Sequence, residues 1–135
     1  MTGKDTVREC SRLSDAGAAS FGEIVGKLNA AGVERYHADL TRAEKIYYWP
    51  DGDSERVPNA PLAAAPDVAF SPQGVEAAVR AAQAGTIVYK TFCERAAAAG
   101  CVGYHVHIAG KRVVYYGRNG DSHVEWFPGA RPAAA

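Results

Sequence analysis

The spacing His105-x-His107 projects two imidazoles from one side of an extended chain. Imidazole titrates near neutral pH, so such a pair can pass protons, and it can also offer two nitrogens to one metal ion. His37 and Asp39 repeat the i, i+2 spacing earlier in the chain, and His123 and Glu125 repeat it later as an imidazole–carboxylate pair. Tyr48 and Tyr116 could complete a proton relay, while Glu44, Arg112 and Arg118 could hold a charged ligand. These residue types predict metal-independent acid–base chemistry on a small molecule, such as an isomerisation, cyclisation or elimination. In that scheme His105 or His107 is the base, with His37 and His123 as further candidates. Asp39 or Glu125 orients the base, Arg112 or Arg118 holds an anionic group, and no cofactor is needed. Tyr48, Trp49, Tyr116 and Trp126 would form the rim. A two- or three-histidine site completed by Asp39 would instead suit a divalent ion such as zinc. The plain alternative is a solvated polar sheet face, on which His123 and Glu125 form a surface pair of small energetic value.

The elements that position these groups are legible because the chain repeats itself. Displaced by 68 positions, residues 3–57 lie on 71–125 without a gap, with 14 of 55 positions identical. Tyr36-His37 meets Tyr104-His105, Tyr47-Tyr48 meets Tyr115-Tyr116, and Gly52-Asp53-Ser54 meets Gly120-Asp121-Ser122. Each copy reads as helix–helix–strand–strand with a third short strand. Helices are expected over roughly 4–15 and 20–31 in the first copy. In the second they are expected from Ser71-Pro72 to Gly85 and from Val88 to Ala99, with Gly17, Gly32, Gly85 and Gly100 as stops. Strands are expected over 33–40, 43–49 and 54–57, and over 103–108, 112–117 and 122–127. The fold class predicted is α+β: one domain over 1–135, with an antiparallel sheet covered by helices on one face, a linker at 58–70, and a frayed tail from Pro128.

Alternation assigns the faces. Tyr36, Ala38, Leu40, Tyr104, Val106 and Ile108 form the side the helices cover. Arg35, His37, Asp39, Gly103, His105 and His107 form the other, joined by Glu44, Ile46, Tyr48, Arg112, Val114 and Tyr116 if the hairpin turns hold that register. A pseudo-twofold relation between the copies would bring His37, Asp39, His105 and His107 towards the centre. The copies differ where an asymmetric ligand would need it: Asp39 aligns with His107, Glu44 with Arg112, and Glu55 with His123.

Several chemistries are set aside. Lys and Arg number 15, Asp and Glu also 15, and no basic block occurs, which disfavours nucleic acid and anionic membranes as partners. No apolar run approaches the ~20 residues that cross a bilayer, and the start of the chain leads into a polar helix, so a cytoplasmic location is expected. Cys10, Cys93 and Cys101 align with Ala78, Val25 and Val33, as buried reduced thiols would. Cys101 stands four residues from His105, roughly 13 Å along a strand, too far for a nucleophile–base pair. The Gly-Asp-Ser runs lack the strand–glycine–helix context and lysine of a phosphate loop and read as tight turns.

The run from Ala98 to Val106 and that from Gly110 to Pro128, above all Gly117-Arg-Asn-Gly-Asp-Ser-His-Val-Glu125, resemble the signature of the YdfO/YbcV-like family of small bacterial, often prophage-encoded proteins. Gly32 to Leu40 and Glu44 to Tyr48 resemble it too. The resemblance implies an α+β fold and, the family being of unknown function, carries no catalytic residue over. Two functions therefore stand side by side: a small-molecule site, and a protein–protein surface for a second copy or a host or phage factor.

Overall fold

The computed structural model describes residues 2–130. Its helices begin where local chemistry dictates. Thr2 accepts a hydrogen bond from the Asp5 N–H and the Asp5 carboxylate accepts one from the Thr2 N–H, a capping box that opens α1 (Gly3–Asp15). Ser20 and Glu23 do the same for α2 (Phe21–Ala30). Ser71 accepts from the Gly74 N–H at the start of α3 (Pro72–Gln83), with Pro72 in the first turn. The fourth helix, α4 (Tyr89–Ala98), starts at Val88, which has no side-chain oxygen to offer and is 54% exposed. Ser20 is its counterpart in the first half. Val88→Ser is therefore expected to raise unfolding free energy by about 1 kcal/mol, read from urea unfolding. No gain would mean that the α4 start is not limited by its missing cap.

Six strands follow in two groups: β1 (Arg35–Asp39), β2 (Glu44–Tyr48) and β3 (Ser54–Pro58), then β4 (Cys101–His107), β5 (Arg112–Gly117) and β6 (Ser122–Trp126). They form one antiparallel sheet in the order β3-β2-β1-β4-β5-β6, so the chain is α+β and the two halves meet along β1 and β4. Each half runs through helix, helix and three strands in the same order. The first hairpin of each half turns through a non-glycine residue in the left-handed region at matching positions, Ala43 and Lys111, both with φ of 55°.

One sheet face is the core. Tyr36, Ala38, Tyr47, Val57, Tyr104, Val106, Val113 and Tyr115 pack against Val7 and Cys10 of α1, Leu28 of α2, Val75 of α3 and Phe92 of α4. This places the expected apolar residues under the helices. Trp49, expected at the rim of the other face, lies on the helix side. Its indole N–H donates to the Ala31 carbonyl at 3.0 Å and its ring packs beside Gly3 and Gly32. The alternation that puts Tyr48 on the open face necessarily puts its neighbour on the opposite one.

The linker is tied down at several points. Asn59 donates to Ser11 at 2.9 Å, the Asp67 N–H reaches the Ala97 carbonyl, and Leu62 and Phe70 join the core margin. Arg118, expected to hold a ligand, instead donates to the Pro66 carbonyl of this segment. Of the tail expected to fray, 131–135 lies outside the described residues. Phe127 packs on the core edge and its carbonyl accepts the Ala130 N–H.

Candidate functional site

The strand registers arrange the uncovered face in three rows running across the sheet. The first is Ser54–Tyr48–Arg35–His107–Arg112–Trp126. The middle row is Arg56–Ile46–His37–His105–Val114–Val124. The last is Pro58–Glu44–Asp39–Gly103–Tyr116–Ser122. Glu44, Ile46, Tyr48, Arg112, Val114 and Tyr116 thus share the face with the histidines, as the hairpin reading required. Rows are separated by two residues along a strand, roughly 7 Å.

The middle row holds the titratable centre. His37 and His105 stand directly opposite each other on β1 and β4, ring centroids 4.4 Å apart. Tyr116 reaches in from β5, its hydroxyl 2.5 Å from His37 Nε2. It can do so because Gly103 lies beneath it: a Cβ there would stand 2.5 Å from the Tyr116 hydroxyl oxygen and 2.7 Å from the Ala38 carbonyl oxygen. In the other half the equivalent of Gly103 is Arg35, whose guanidinium covers the Tyr48 ring at 3.9 Å. Two matched tyrosines therefore do different things. Tyr116 is bonded to a histidine and Tyr48 is a platform for an arginine.

Partial burial holds the His37, His105 and His107 imidazoles below the ordinary value of 6.5. For His105 the neighbouring His37 and His107 add to the effect, and for His107 the Arg35 and Arg112 charges do. Burial, with the Asp39 charge behind it, pushes the Tyr116 phenol up. Phenol and imidazole are then both uncharged at pH 7, and the bond can run either way: the phenol donates to Nε2 in one tautomer of His37, and Nε2–H donates to the phenol oxygen in the other. His105 has no hydrogen-bond partner among the described residues and can offer a free nitrogen.

The first row is basic and partly pre-set. Arg35 lies over Tyr48 and Arg112 over Trp126, at 3.9 and 4.1 Å from the ring centres, with His107 between them. A shallow depression of about 410 Å³ opens there, lined by Glu34, Arg35, His107, Gly110, Arg112 and Val114. The last row is acidic but largely occupied. Asp39 Oδ1 accepts the Thr41 and Arg42 N–H groups of the hairpin turn at 3.0 and 2.9 Å. Glu44, its side chain 7% exposed, is held by Arg42 and Arg56 at 2.8 and 3.1 Å. The Arg42 hydrogen bond is the main cause of its lowered pKa.

The expected four-group centre forms only in part. His105 neighbours both His37 and His107, ring centroids 4.4 and 5.9 Å apart, but antiparallel β1–β4 pairing sets Asp39 opposite Gly103 and His107 opposite Arg35, at opposite ends of the face. Among the described residues no group of three or more His, Cys, Asp or Glu side chains is arranged to hold a metal ion. His123 and Glu125 do pair, at 2.9 Å, but on the helix side, where Arg80 of α3 also donates to Glu125 at 3.2 Å. They tie an edge strand to a helix and stand apart from the His37–His105–Tyr116 centre. All three cysteines are buried thiols, with Cys101 pushed up to about 11 by burial.

Arg35, Gly103 and Lys45 escaped the sequence reading as functional residues, although each carries a signal. Arg35 aligns with Gly103 and Lys45 with Val113, exchanges that change the bulk and charge of matched strand positions.

Because the three imidazoles have lowered pKa values, the unfolded chain binds more protons than the folded one as pH falls below 6.5. Their favourable contribution is complete above 6.5 and is lost as pH drops through the folded values. Urea midpoints should therefore fall between pH 7.5 and pH 5, and less so in a His37→Gln, His105→Gln variant. Equal slopes in the two proteins would place the acid sensitivity elsewhere.

No helix among the described residues is long and apolar enough to cross a membrane. No curated protein matches the chain. Residues 66–124, which run from the end of the linker through α3, α4, β4 and β5 into β6 and so include Gly103, His105, His107 and Tyr116, match the sequence model of a family described as "Protein of unknown function (DUF1398)".

Proposed function

We propose that the uncovered sheet face binds a small anionic molecule and moves a proton on it without a metal. The observation that carries this reading is the Tyr116–His37 hydrogen bond beside the unpartnered His105, one row from Arg35, His107 and Arg112. A carboxylate or phosphate held by Arg112, with His107 beside it, would set the atoms two or three bonds further along over His105. His105 then removes a proton as the neutral base. Tyr116 delivers one to a neighbouring atom from the same face and is reprotonated through His37, which suits an isomerisation or elimination. The YdfO/YbcV-like resemblance and a cytoplasmic, reduced setting are compatible with this reading and add no substrate to it.

The test is a titration of ring-labelled histidines with small carboxylates and inorganic phosphate, followed by exchange of ligand C–H protons for solvent deuterium. Shifts at His105 and His107 that vanish in Arg112→Gln, with exchange that is lost in His105→Ala, are expected. Binding and exchange that survive alanine at both His105 and His107 would sink the proposal.

A second reading has its own observation. Ile46, Val114 and the 41%-exposed Val124 flank the two histidines of the middle row with apolar side chains, between a basic and an acidic row. A second copy turned through a half-rotation would set Arg35 and Arg112 against Asp39. Light scattering should then give a dimer that Val124→Asp converts to monomer, and a monomeric wild type removes this reading.

A further inference from the structure

The internal repeat exchanges the two outer rows of the open face. Tyr48, Arg35, His107 and Arg112 of the first row align with Tyr116, Gly103, Asp39 and Glu44 of the last, a displacement of 68 positions in each case. Three bases thus stand where the other half has a glycine and two acids. The acids are engaged: Asp39 accepts two backbone N–H groups of its turn, and Glu44 is held by Arg42 and Arg56. The first row keeps its donors. Arg35 donates from Nε to Glu34 at 3.1 Å with its guanidinium over the Tyr48 ring. Arg112 donates from Nε to the Gly110 carbonyl at 3.4 Å with its guanidinium over Trp126. Each is fixed at its inner nitrogen and on one face, while among the described residues its terminal Nη groups have no partner. Those terminal nitrogens are the pair that grips a carboxylate or phosphate through two parallel hydrogen bonds.

The two guanidiniums serve different ends of the row. Their Cα atoms are two strands apart, roughly 10 Å, and each side chain leans outward over the aromatic ring beyond it, so one small anion cannot touch both. His107 stands between them, and all three line the same depression of about 410 Å³. That is room for a ligand of roughly 10–20 non-hydrogen atoms.

We propose, building on the reading of this face as an anion site, that its ligand carries two anionic groups, one held by Arg112 and one by Arg35, joined by a chain that crosses His107. The ligand class is an α,ω-dianion with its charges about 10 Å apart, as in a medium-chain dicarboxylate. The middle of the chain then passes nearest the His105 ring, whose centroid is 5.9 Å from that of His107. The charges around His107 agree with two anions. Arg35 and Arg112 face it from β1 and β5, the Glu34 carboxylate lines the depression, and His105 is its neighbour on β4. With His107 neutral the row has one net positive charge, and with His107 protonated it has two. Binding a dianion should therefore draw a proton onto His107, which burial and the two arginines disfavour in the free protein.

The probes are suberate and its monomethyl ester, which match in length and differ by one charge, with succinate as a diacid too short to reach both ends. Binding is read at constant ionic strength from the His105 and His107 ring signals. Suberate should bind at least about tenfold more tightly than monomethyl suberate, the gain of one further bidentate charge-assisted contact, and should raise the His107 pKa. Succinate should show no such gain over monomethyl succinate, and the suberate advantage should disappear in Arg35→Gln. Equal affinities for suberate and its ester, both lost in Arg112→Gln, would overturn the two-ended site and leave the single-anion reading standing. A suberate advantage that survives Arg35→Gln would also overturn it. Ring signals that respond to none of the probes would remove both readings.

Discussion

Lys45→Met is expected to raise unfolding free energy by about 1–3 kcal/mol at pH 7, an effect large enough to see directly in a urea transition. Methionine has nearly the shape of lysine and fills the same space between β2 and α4, so the packing is kept while an unsatisfied Nζ is removed. Replacing buried charge by apolar groups of similar volume often gains 1–4 kcal/mol, and the lost contact with the Tyr89 ring subtracts about 0.5–2 kcal/mol. The pH dependence gives the mechanism away. The folded pKa of Lys45 lies below the ordinary 10.5, with burial as the main cause, so its contribution to stability is complete above 10.5 and is lost as pH falls towards the folded value. The advantage of Lys45→Met should therefore be largest at neutral pH and smaller at pH 9.5. An advantage that does not change with pH would mean the gain comes from packing. A loss of stability would mean that Nζ has a partner in solution, for example ordered water.

Gly103→Ala should destabilise by about 1–3 kcal/mol, the usual cost of forcing a methyl group into a filled space. Here the space is filled by the Tyr116 ring on one side and by the Ala38 carbonyl of the adjacent strand on the other. The carbonyl belongs to the β1–β4 ladder and cannot retreat without disturbing the seam between the two halves. The tyrosine can, and its departure breaks the bond to His37. Burial is the main cause of the lowered His37 pKa, and a phenol donating to Nε2 would add to it, so the His37 pKa should rise towards 6.5 in Gly103→Ala, and in Tyr116→Phe with the β1–β4 backbone undisturbed. Ring-proton titration by NMR reads the shift in each variant, and urea unfolding separates the two. A Gly103→Ala protein of wild-type stability would show that β4 can shift to admit the methyl, and an unmoved His37 titration in Tyr116→Phe would remove Tyr116 from the proton path.

Element type and face were written locally. Helix starts at Thr2, Ser20 and Ser71, stops at Gly32 and Gly100, and the two-residue alternation from Tyr36 to Leu40 and Tyr104 to Ile108 are each decided within a few residues by capping and by strand geometry. They identified the α+β class, the covered face and the polar face with His37, His105 and His107 before any contact between distant segments was known. Which polar residues meet was not written there. That depends on β1 pairing with β4 antiparallel, in a register that sets His37 against His105, parts Asp39 from His107, and lets Tyr116 cross Gly103. The pairing joins residues some seventy positions apart, and no local rule covers it. The same holds for Lys45, whose sequence neighbours Glu44 and Ile46 make it look like a surface residue on a short polar strand. Alternation alone determined that its side chain points at the helices. Only the packing of α4 against β2 sealed it under the Tyr89 ring without an acceptor, because solvent exclusion is a property of the assembled layers and not of the strand.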